Sequence, residues 1–368
     1  MKGVIMAQYF TIYPLGNAET CLLELNNGSK LLFDYAAMND GSSSDARFNI
    51  EDELSSIKEF DVVMFSHAHE DHTKGASDFF YLDHAQKYQS DTRVKIKELW
   101  VSAAFLLDTD LENHSDAKII RAEARYRLRN KYGIRIFAAP NSLTDWLASQ
   151  GIAYDDVSDL IVHAGNIMEL PDPLRDEMQV FVHAPFSDDS EDVQNKNDPS
   201  IVLQVRLFND NQETNLLITG DSPYQVLDKI VDISQTNENE GYLIWDIYDI
   251  PHHCSYTGLN EKGEKDVRII IPTDNIQWLL QQSSTGAYMV ASCENVTEET
   301  SPPHMCAKRA YEKYSADDVH FLVTMEHIPP KASKPTPIRF EINSMGLTLK
   351  EDRVYQNYFN KSAPRAGQ

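Results

Sequence analysis

The chain has 368 residues, with 57 Asp or Glu against 33 Lys or Arg, so its formal charge is −24. Hydrophobic residues make up 42% of the chain, which predicts a substantial core and excludes a disordered chain. The excess of acid disfavours binding along long nucleic acids or anionic membranes, because phosphates attract Lys and Arg.

The compartment is indicated by two weaker features of the sequence. No stretch approaches the roughly 20 apolar residues that cross a bilayer, and no signal-peptide pattern follows Met1. Four cysteines, at positions 21, 254, 293 and 306, include no CxxC pair, which favours reduced thiols. We therefore expect a soluble cytoplasmic protein that does not act at a membrane.

Short runs rich in Val, Ile, Leu, Phe and Tyr predict strands where Gly, Asn, Asp or Pro bound them. We expect the first four to pair as meandering hairpins. In chain order the predicted strands are residues 9–13, 21–25, 30–33, 62–65, 99–102, 135–138, 179–182, 201–208, 216–219, 242–250, 287–291, 319–324 and 338–342.

Helices are predicted between and after these strands, over residues 116–131, 142–150, 224–233 and 302–314, with Ser301 as the N-cap of the last. Such a mixed order favours packed sheets flanked by helices over a simple βαβ repeat. We interpret residues 1–350 as one domain, with a helical elaboration around 103–178, and residues 351–368 as a C-terminal tail.

The segment from His67 to His72 reads His-Ala-His-Glu-Asp-His and follows a predicted strand. In an extended segment His67 and His69 point to the same side, and the turn brings Asp71 and His72 to a second point. Imidazole and carboxylate donors suit zinc or manganese. A histidine-rich surface loop formed by accident is the weaker interpretation, because the spacing is specific.

Two later strand ends carry donors of the same kind. Asp221 follows the apolar run 216–219 and Gly220, and can bridge two ions. His252 and His253 follow the predicted strand 242–250. Each cluster alone is weak evidence, but the three in this order predict a site for two divalent ions.

These motifs resemble those of the metallo-β-lactamase superfamily, and more narrowly its branch of ComEC-type hydrolase domains and phosphorylcholine esterases. The resemblance spans residues 8–345 and implies an α/β fold, a four-layer αββα sandwich with two metals at one edge of the sheets. The matching segments are Gly16 to Glu19, Gly28 to Asp34, His67 to His72, Asn197 to Leu203, Leu216 to Asp221 and His252 to Ser255.

The resemblance also implies a ligand set. One ion would be held by His67, His69 and Asp221, and the other by Asp71, His72, Asp221 and His253, with zinc ahead of manganese. Asp198 is included as a further ligand of the first ion, with His183 as its competitor. A His-x-Ser pattern favours His253 over His252 as the ligand.

Two departures from the related motifs lie beside this site: Lys74 and Cys254 stand where the branch has glycine. We expect Cys254 to be a small buried residue, not a nucleophile. Catalytic roles are predicted for Asp71, Lys74 and His252, the last two neutralising a phosphoryl oxygen or assisting the leaving group. For His252 a packing role is an equal alternative.

The expected mechanism is attack by a metal-bound hydroxide, because two ions lower the pKa of a shared water. Asp34 is either a residue that orients a ligand histidine or a turn former at a strand end. His304 is a weaker candidate for the substrate pocket.

The branch points to a phosphodiester as substrate, which makes the protein a nuclease or a nucleotide or small-molecule phosphodiesterase. Hydrolysis of a carboxyl ester, thioester or lactone is the first alternative. A non-catalytic binding subunit with a vestigial metal site is the second, and the completeness of the motifs argues against it. The charge favours a small or locally held phosphodiester over an extended nucleic acid.

A basic island contrasts with the acidity of the chain, with seven cations and one acid, Glu123, within 18 residues. It could draw phosphates toward the site, but a solvated face paired with acids is the favoured interpretation. Its cations are Lys118, Arg121, Arg125, Arg127, Arg129, Lys131 and Arg135.

Overall fold

A computed structural model describes residues 7–111, 115–187, 200–261, 268–298 and 302–350. The candidate ligand Asp198, the predicted N-cap Ser301 and the expected tail 351–368 lie outside the described residues.

The first sheet has nine strands in the spatial order β15-β14-β1-β2-β3-β4-β5-β6-β7. Its antiparallel part joins β14 and β15 to β1, β2 and β3, and its parallel part runs from β3 to β7. The strands are β1 (Gln8–Ile12), β2 (Cys21–Glu24), β3 (Lys30–Phe33), β4 (Glu59–Phe65), β5 (Lys95–Ser102), β6 (Ile134–Phe137), β7 (Ile161–Val162), β14 (Ile338–Asn343) and β15 (Gly346–Lys350).

The second sheet has six strands in the order β13-β12-β11-β10-β9-β8. Strands β8, β9 and β10 are antiparallel, whereas β10 to β13 are parallel. The strands are β8 (Met178–Ala184), β9 (Val202–Asn209), β10 (Gln212–Ile218), β11 (Trp245–Asp249), β12 (Ser283–Ala291) and β13 (His320–Val323).

Helices cover the outer faces of both sheets. Those against the first sheet are α1 (Ile50–Leu54), α2 (Glu70–Thr73), α3 (Ala76–Phe79), α4 (Ala103–Leu107), α5 (Asp116–Asn130) and α6 (Asn141–Ser149). Those against the second are α7 (Tyr224–Thr236), α8 (Asp274–Leu280) and α9 (Met305–Tyr314).

Three buried cores separate the layers, because alternate residues of each strand point to opposite faces. Leu23 of β2 and Leu203 of β9 belong to the central core between the two sheets. Leu22 of β2 faces the first helical layer, and Leu217 of β10 faces the second. The predicted four-layer αββα sandwich is therefore confirmed by the order of helix, sheet, sheet and helix.

Each predicted strand and helix has an observed counterpart, but one predicted pairing was wrong. Strands β3 and β4 are parallel, with Leu32 opposite Val63, and do not form a hairpin. The chain crosses over between them through α1, whose five residues were too few to show a helical period. The last helix begins at Met305, because His304 is its N-cap.

Several elements that the sequence did not predict are short. They are α1 to α4, α8, β7 and β15. None of these helices has more than seven residues. The description of residues 1–350 as one domain stays a prediction. Within the described part of the chain, no helix has the length and apolarity to span a membrane.

Candidate metal centre

The three predicted donor clusters meet at one edge of the sandwich. The His67 to His72 segment follows β4 of the first sheet, Asp221 follows β10 of the second, and His252 and His253 follow β11. Because β10 and β11 are parallel neighbours, their carboxyl ends open on the same edge. The central core thus brings the His67 to His72 segment together with side chains that follow it by 149 residues or more in the sequence.

The loop after β4 is anchored to the first sheet through its backbone. The Glu19 N–H donates to the carbonyl of Asp71 at 3.1 Å, and the Tyr35 N–H donates to that of His72 at 3.1 Å. The loop ends at Gly75, which has a φ of +79° and where a Cβ would lie 2.8 Å from the Cβ of Ala37. Glycine is therefore required at this turn.

Gly220 places Asp221 against this loop. Its φ is +51°, and a Cβ would lie 3.1 Å from the Cβ of Ser66, the residue before the first ligand histidine. A side chain at position 220 would therefore push the β4 loop and the β10 loop apart.

The segment after β11 adopts an unusual left-handed conformation. His252, His253 and Cys254 have φ values of +50°, +53° and +60°, and the His252 N–H donates to the Gly220 carbonyl at 3.1 Å. Side chains disfavour this region, which accounts for a glycine at the position of Cys254 in the related motif. Cys254 is fully buried, and burial raises the pKa of its thiol, as expected for a packing residue.

Four side chains form the first group of donors: Asp71, His72, Asp221 and His253, whose ligand atoms all lie within 4.8 Å of one another. His72 Nε2 is 3.2 Å from Asp221 Oδ1, and His253 Nε2 is 3.0 Å from Asp71 Oδ2. All but Asp71 are buried.

His67, His69 and Asp71 form the second group. His67 Nε2 lies 3.1 Å from His69 Nδ1 and 3.6 Å from Asp221 Oδ2. Two nitrogens that bind one tetrahedral zinc at 2.0–2.1 Å are about 3.3 Å apart, so the pair of imidazoles has the separation of two ligands.

Asp221 connects the two groups through its two oxygens. Oδ1 faces His72 at 3.2 Å and His253 at 3.8 Å, whereas Oδ2 faces His67 at 3.6 Å and His252 at 3.8 Å. A carboxylate with one oxygen toward each donor group has the arrangement of a bridging ligand.

Hydrogen bonds on the far side of each histidine set the direction of its ligand nitrogen. His72 Nδ1 is 2.8 Å from Asp34 Oδ2, and His253 Nδ1 is 2.8 Å from the Ser292 carbonyl. Both acceptors take the Nδ1 proton, so Nε2 of His72 is directed toward Asp221 and Nε2 of His253 toward Asp71. Asp34 in turn accepts from the Ser66 N–H and hydroxyl.

The surroundings shift the pKa values of the donor histidines in two opposite directions. Burial lowers the pKa of His67 well below its usual range, so this imidazole stays neutral. Burial opposes the charged forms of His72 and His253 too, but Asp221 and the other nearby carboxylates outweigh it and raise both pKa values. The same histidines lower the pKa of Asp221 against the effect of its burial.

The residues present fit divalent metal ions. His72 Nε2 and Asp221 Oδ1 are buried 3.2 Å from each other, and neither has another hydrogen-bond partner among the described residues. Buried polar atoms normally find a partner, so these two atoms call for a cation between or beside them. Imidazole and carboxylate donors without a thiolate suit zinc and also manganese.

The structure separates the remaining sequence candidates. His183 was predicted as a competing ligand, but it belongs to neither group; its Nε2 is bonded to the Tyr242 carbonyl at 2.9 Å, and its ring packs on Phe181. Lys74 forms an ion pair with Glu70 at 3.0 Å and is 43% exposed.

His252 and His304 lie beside the centre. His252 Nδ1 is 3.0 Å from the Thr257 hydroxyl, and its side chain is 27% exposed, so its Nε2 can meet both Asp221 and solvent. The ring of His304 is 4.5 Å from that of Tyr256. The pKa of His304 is lowered, mainly by burial and to a smaller extent by the nearby His252.

Sequence reasoning missed a buried polar cluster behind the centre. Glu19, Cys21 and Asp249 place their donor atoms within 4.8 Å of one another, and Glu19 also approaches Asp34 and His72. Glu19 lies just before β2, Cys21 begins β2 and Asp249 ends β11, so no local motif joins the three residues. Only the facing of the two sheets reveals the cluster.

A search of protein-family models and of curated proteins found no match. The solved structures that are similar to this chain include three distant ones. The class B3 di-zinc metallo-β-lactamase LRA-12 from an Alaskan soil metagenome is 12% identical over 64% of this chain and 74% of its own, with a TM-score of 0.28.

The second is MEM-A1, a subclass B3 enzyme from a soil metagenome library, 10% identical over 67% of this chain and 76% of its own, with a TM-score of 0.32. The third is GOB-18 from Elizabethkingia meningoseptica, which is 13% identical over 63% of this chain and 69% of its own, with a TM-score of 0.25. All three are metallo-β-lactamases, but at such scores the likeness decides nothing about activity. The fold class rests on the four layers of the chain itself.

Proposed function

We propose that this protein is a hydrolase that uses two divalent metal ions, preferably zinc, to cleave a phosphodiester. The observation that carries the proposal is the position of Asp221, whose two oxygens face two separate groups of histidines. A single-metal or purely structural site needs no such bridging position. The matching motifs of the phosphodiester-cleaving branch support the choice of substrate.

Each ion has a defined set of side chains under this proposal. His67, His69 and Asp221 hold one, and Asp71, His72, Asp221 and His253 hold the other. Ions bound there supply Lewis-acid polarisation of the substrate and activation of water near neutral pH. Asp198 stays a proposed further ligand, outside the described residues.

The chain itself contributes orientation and proton transfer. Asp34 and the Ser292 carbonyl fix His72 and His253, so the ligand nitrogens are held before a substrate arrives. His252 is the proposed proton donor to the leaving group, because its Nε2 lies 3.8 Å from Asp221 at the border of the buried centre. Burial lowers the pKa of His252, and the proton that it would donate to the leaving group would come from the attacking water.

Lys74 is the proposed partner of a phosphoryl oxygen, and to bind one it must leave its ion pair with Glu70. Both side chains are largely exposed, at 43% and 76%, so the pair holds the lysine weakly. The ammonium can therefore exchange Glu70 for a substrate anion without a large loss.

The decisive experiment combines metal analysis with a panel of substrates. The purified protein is loaded with zinc or manganese, dialysed and measured for bound metal, with Asp221→Ala as the variant and Asp155→Ala, at an exposed position, as its control. We expect two equivalents in the wild type and the control, and one or fewer in Asp221→Ala. One equivalent in metal-replete wild type would refute the two-metal proposal.

The substrate panel contains bis(p-nitrophenyl) phosphate, nucleic acids, and carboxyl ester, thioester and lactone substrates. We expect turnover of the phosphodiesters, lost in Asp221→Ala by a factor of about 10³ or more. Turnover of carboxyl esters or lactones alone would assign the alternative substrate class. Two bound metals without turnover of any class would favour a binding subunit.

A further inference from the structure

The basic island of the sequence divides into two sets in the structure. Arg127 is buried and bonded to Glu123 at 2.7 Å. Lys131 pairs with Asp156 at 3.0 Å, and Arg135 pairs with Glu98 at 2.6 Å. For these three cations the interpretation as a face paired with acids agrees with the structure.

Arg121, Arg125 and Arg129 behave differently. Within the described part of the chain none of them has a carboxylate within 4.0 Å. The Arg125 Nε–H donates to the Leu106 carbonyl at 2.8 Å, and the Arg129 Nε–H donates to the Gln150 side chain at 3.0 Å. One terminal nitrogen of Arg121 is buried without a hydrogen-bond partner.

The three guanidiniums form one stripe, which we call the arginine stripe. They are spaced i, i+4 and i+8 on α5, so they share one face of the helix. Arg125 and Arg129 both lie over the ring of Trp146 of α6, at 5.6 Å and 5.7 Å. The aromatic ring holds two like charges together, the half-buried Arg125 and the exposed Arg129.

Such an arrangement is unfavourable in the free protein. Like charges at i, i+4 spacing destabilise a helix, and burial together with Arg121 and Arg129 lowers the pKa of Arg125. In a chain of charge −24, acids are abundant, yet no described acid neutralises this stripe. An anion bound from outside would remove the repulsion.

The geometry indicates the kind of anion. A rise of 1.5 Å per residue places successive arginines about 6 Å apart along the helix, over about 12 Å in all. Each planar guanidinium can take one phosphate through two N–H groups. A row of separate phosphates, as along an extended nucleic-acid strand, matches three evenly spaced forks better than one compact anion does.

The helix that carries the stripe is bonded to the end of the donor loop. The Asp116 carboxylate, in the first turn of α5, accepts from the backbone N–H of Gly75 and of Ser77, both at 2.9 Å. Gly75 ends the loop that carries the donor histidines. Arg121 follows Asp116 by five residues, a rise of about 7.5 Å along α5.

We infer that the arginine stripe, Arg121, Arg125 and Arg129, binds the phosphate backbone of a single-stranded nucleic acid. The inference deepens the proposed phosphodiester function and rests on it for the choice of nucleic acid over another polyanion. It reverses, for these three residues, the interpretation of the basic island as a solvated paired face. The local cations hold a strand that the net charge of the whole protein would repel.

The test measures binding separately from cleavage. Fluorescence anisotropy with a labelled 12-nucleotide phosphorothioate DNA strand is recorded for the full-length metal-loaded protein at several salt concentrations. The variants are Arg121→Gln/Arg125→Gln/Arg129→Gln and the same three positions changed to Lys, with Lys313→Gln, an exposed position on α9, as control. Melting temperature and circular dichroism establish that each variant is folded.

We expect the triple Gln variant to bind at least tenfold more weakly at low salt. The slope of log K against log salt should become shallower by about 2, since each single-strand phosphate contact contributes about 0.7. The triple Lys variant should keep most of the slope, because the charge stays, and the Lys313→Gln control should match the wild type.

Cleavage of bis(p-nitrophenyl) phosphate should be unchanged in the triple Gln variant, because the stripe lies outside the metal centre. Unaltered affinity and slope in that variant would refute the stripe while leaving the phosphodiesterase proposal intact. Equal binding of poly-glutamate of the same length would refute the assignment to nucleic acid. Absence of small-substrate cleavage in the wild type, together with strand binding that is lost in the triple Gln variant, would refute the proposed function and leave the stripe intact.

Discussion

Asp34 and His72 form a buried pair, with Oδ2 of the carboxylate 2.8 Å from Nδ1 of the imidazole. Asp34 has a φ of +56°, which turns its carboxylate back from the end of β3 toward the loop after β4. One residue therefore orients a donor histidine and, through Ser66, the start of the donor loop.

Asp34→Asn tests this orienting role. Asparagine tolerates the left-handed backbone, but its amide nitrogen cannot accept from Ser66 or His72. We expect zinc affinity to fall by about 10- to 100-fold, as for other partners of ligand histidines. Competition with a chromophoric chelator measures it.

Asp210→Asn is the matched control, because Asp210 also has a positive φ, of +53°, in the exposed turn between β9 and β10. It should bind zinc as the wild type does. Undiminished zinc affinity in Asp34→Asn would leave Asp34 as a turn former only.

The two neighbouring histidines should separate in a comparison of His253→Ala with His252→Ala. His253 belongs to a donor group and is held by Ser292, so its removal should release one equivalent of metal. His252→Ala should keep both equivalents and lower kcat by about 100-fold, the usual contribution of a general acid. Metal analysis and steady-state kinetics on the same samples make the comparison, and loss of metal in His252→Ala would reverse the assignment.

Glu123→Gln should destabilise the protein, because Glu123 is the buried partner of Arg127 and His84. Removing one member of a buried ion pair costs about 3 kcal/mol of unfolding free energy at pH 7. Urea unfolding measures this difference, with the exposed Glu312→Gln of α9 as a control that should cost little.

The difference in unfolding free energy between wild type and Glu123→Gln should also shrink as pH falls. His84 and Arg127 outweigh the effect of burial and lower the pKa of Glu123. A lowered carboxyl pKa stabilises the fold above the unfolded value of about 4.3, and this stability is lost as pH falls through the folded pKa. A gap between wild type and Glu123→Gln that widens below pH 4 would contradict this reasoning.

Asp249→Asn should show the opposite dependence on pH. Burial, reinforced by Asp34, raises the pKa of Asp249 to about 6, next to Glu19 whose pKa burial and Asp249 also raise. Ionisation then costs the folded state more as pH rises from about 4 through 6. Relative to wild type, the variant should gain on the order of 1 kcal/mol between pH 5 and pH 7.5.

Thermal unfolding across that pH range provides the measurement, with the exposed Asp155→Asn as control. The control should show no gain with pH. A constant difference between Asp249→Asn and wild type would mean that Asp249 does not titrate between pH 5 and pH 7.5 in the folded protein, which would contradict the raised pKa.

The donor loops could be predicted from the sequence because each is formed by a few consecutive residues after a strand. A strand followed at once by histidine or aspartate places that side chain at a sheet edge, and His67 to His72 carries most of one centre within six residues. The strands themselves were predictable from apolar runs and turn residues. Pairing was not, since β3 and β4 proved parallel through a crossover too short to show a helical period.

Alternation of apolar residues and the donor motifs determined, from the sequence by itself, a sandwich of sheets and helices with donor-bearing loops. Only the tertiary structure decided that Asp221 faces both donor groups, that His183 bonds elsewhere, and that three arginines of the basic island lack a described acid partner. The reason is physical. Local sequence specifies which face a residue occupies, whereas distances between loops and the pairing of charges depend on how whole layers pack.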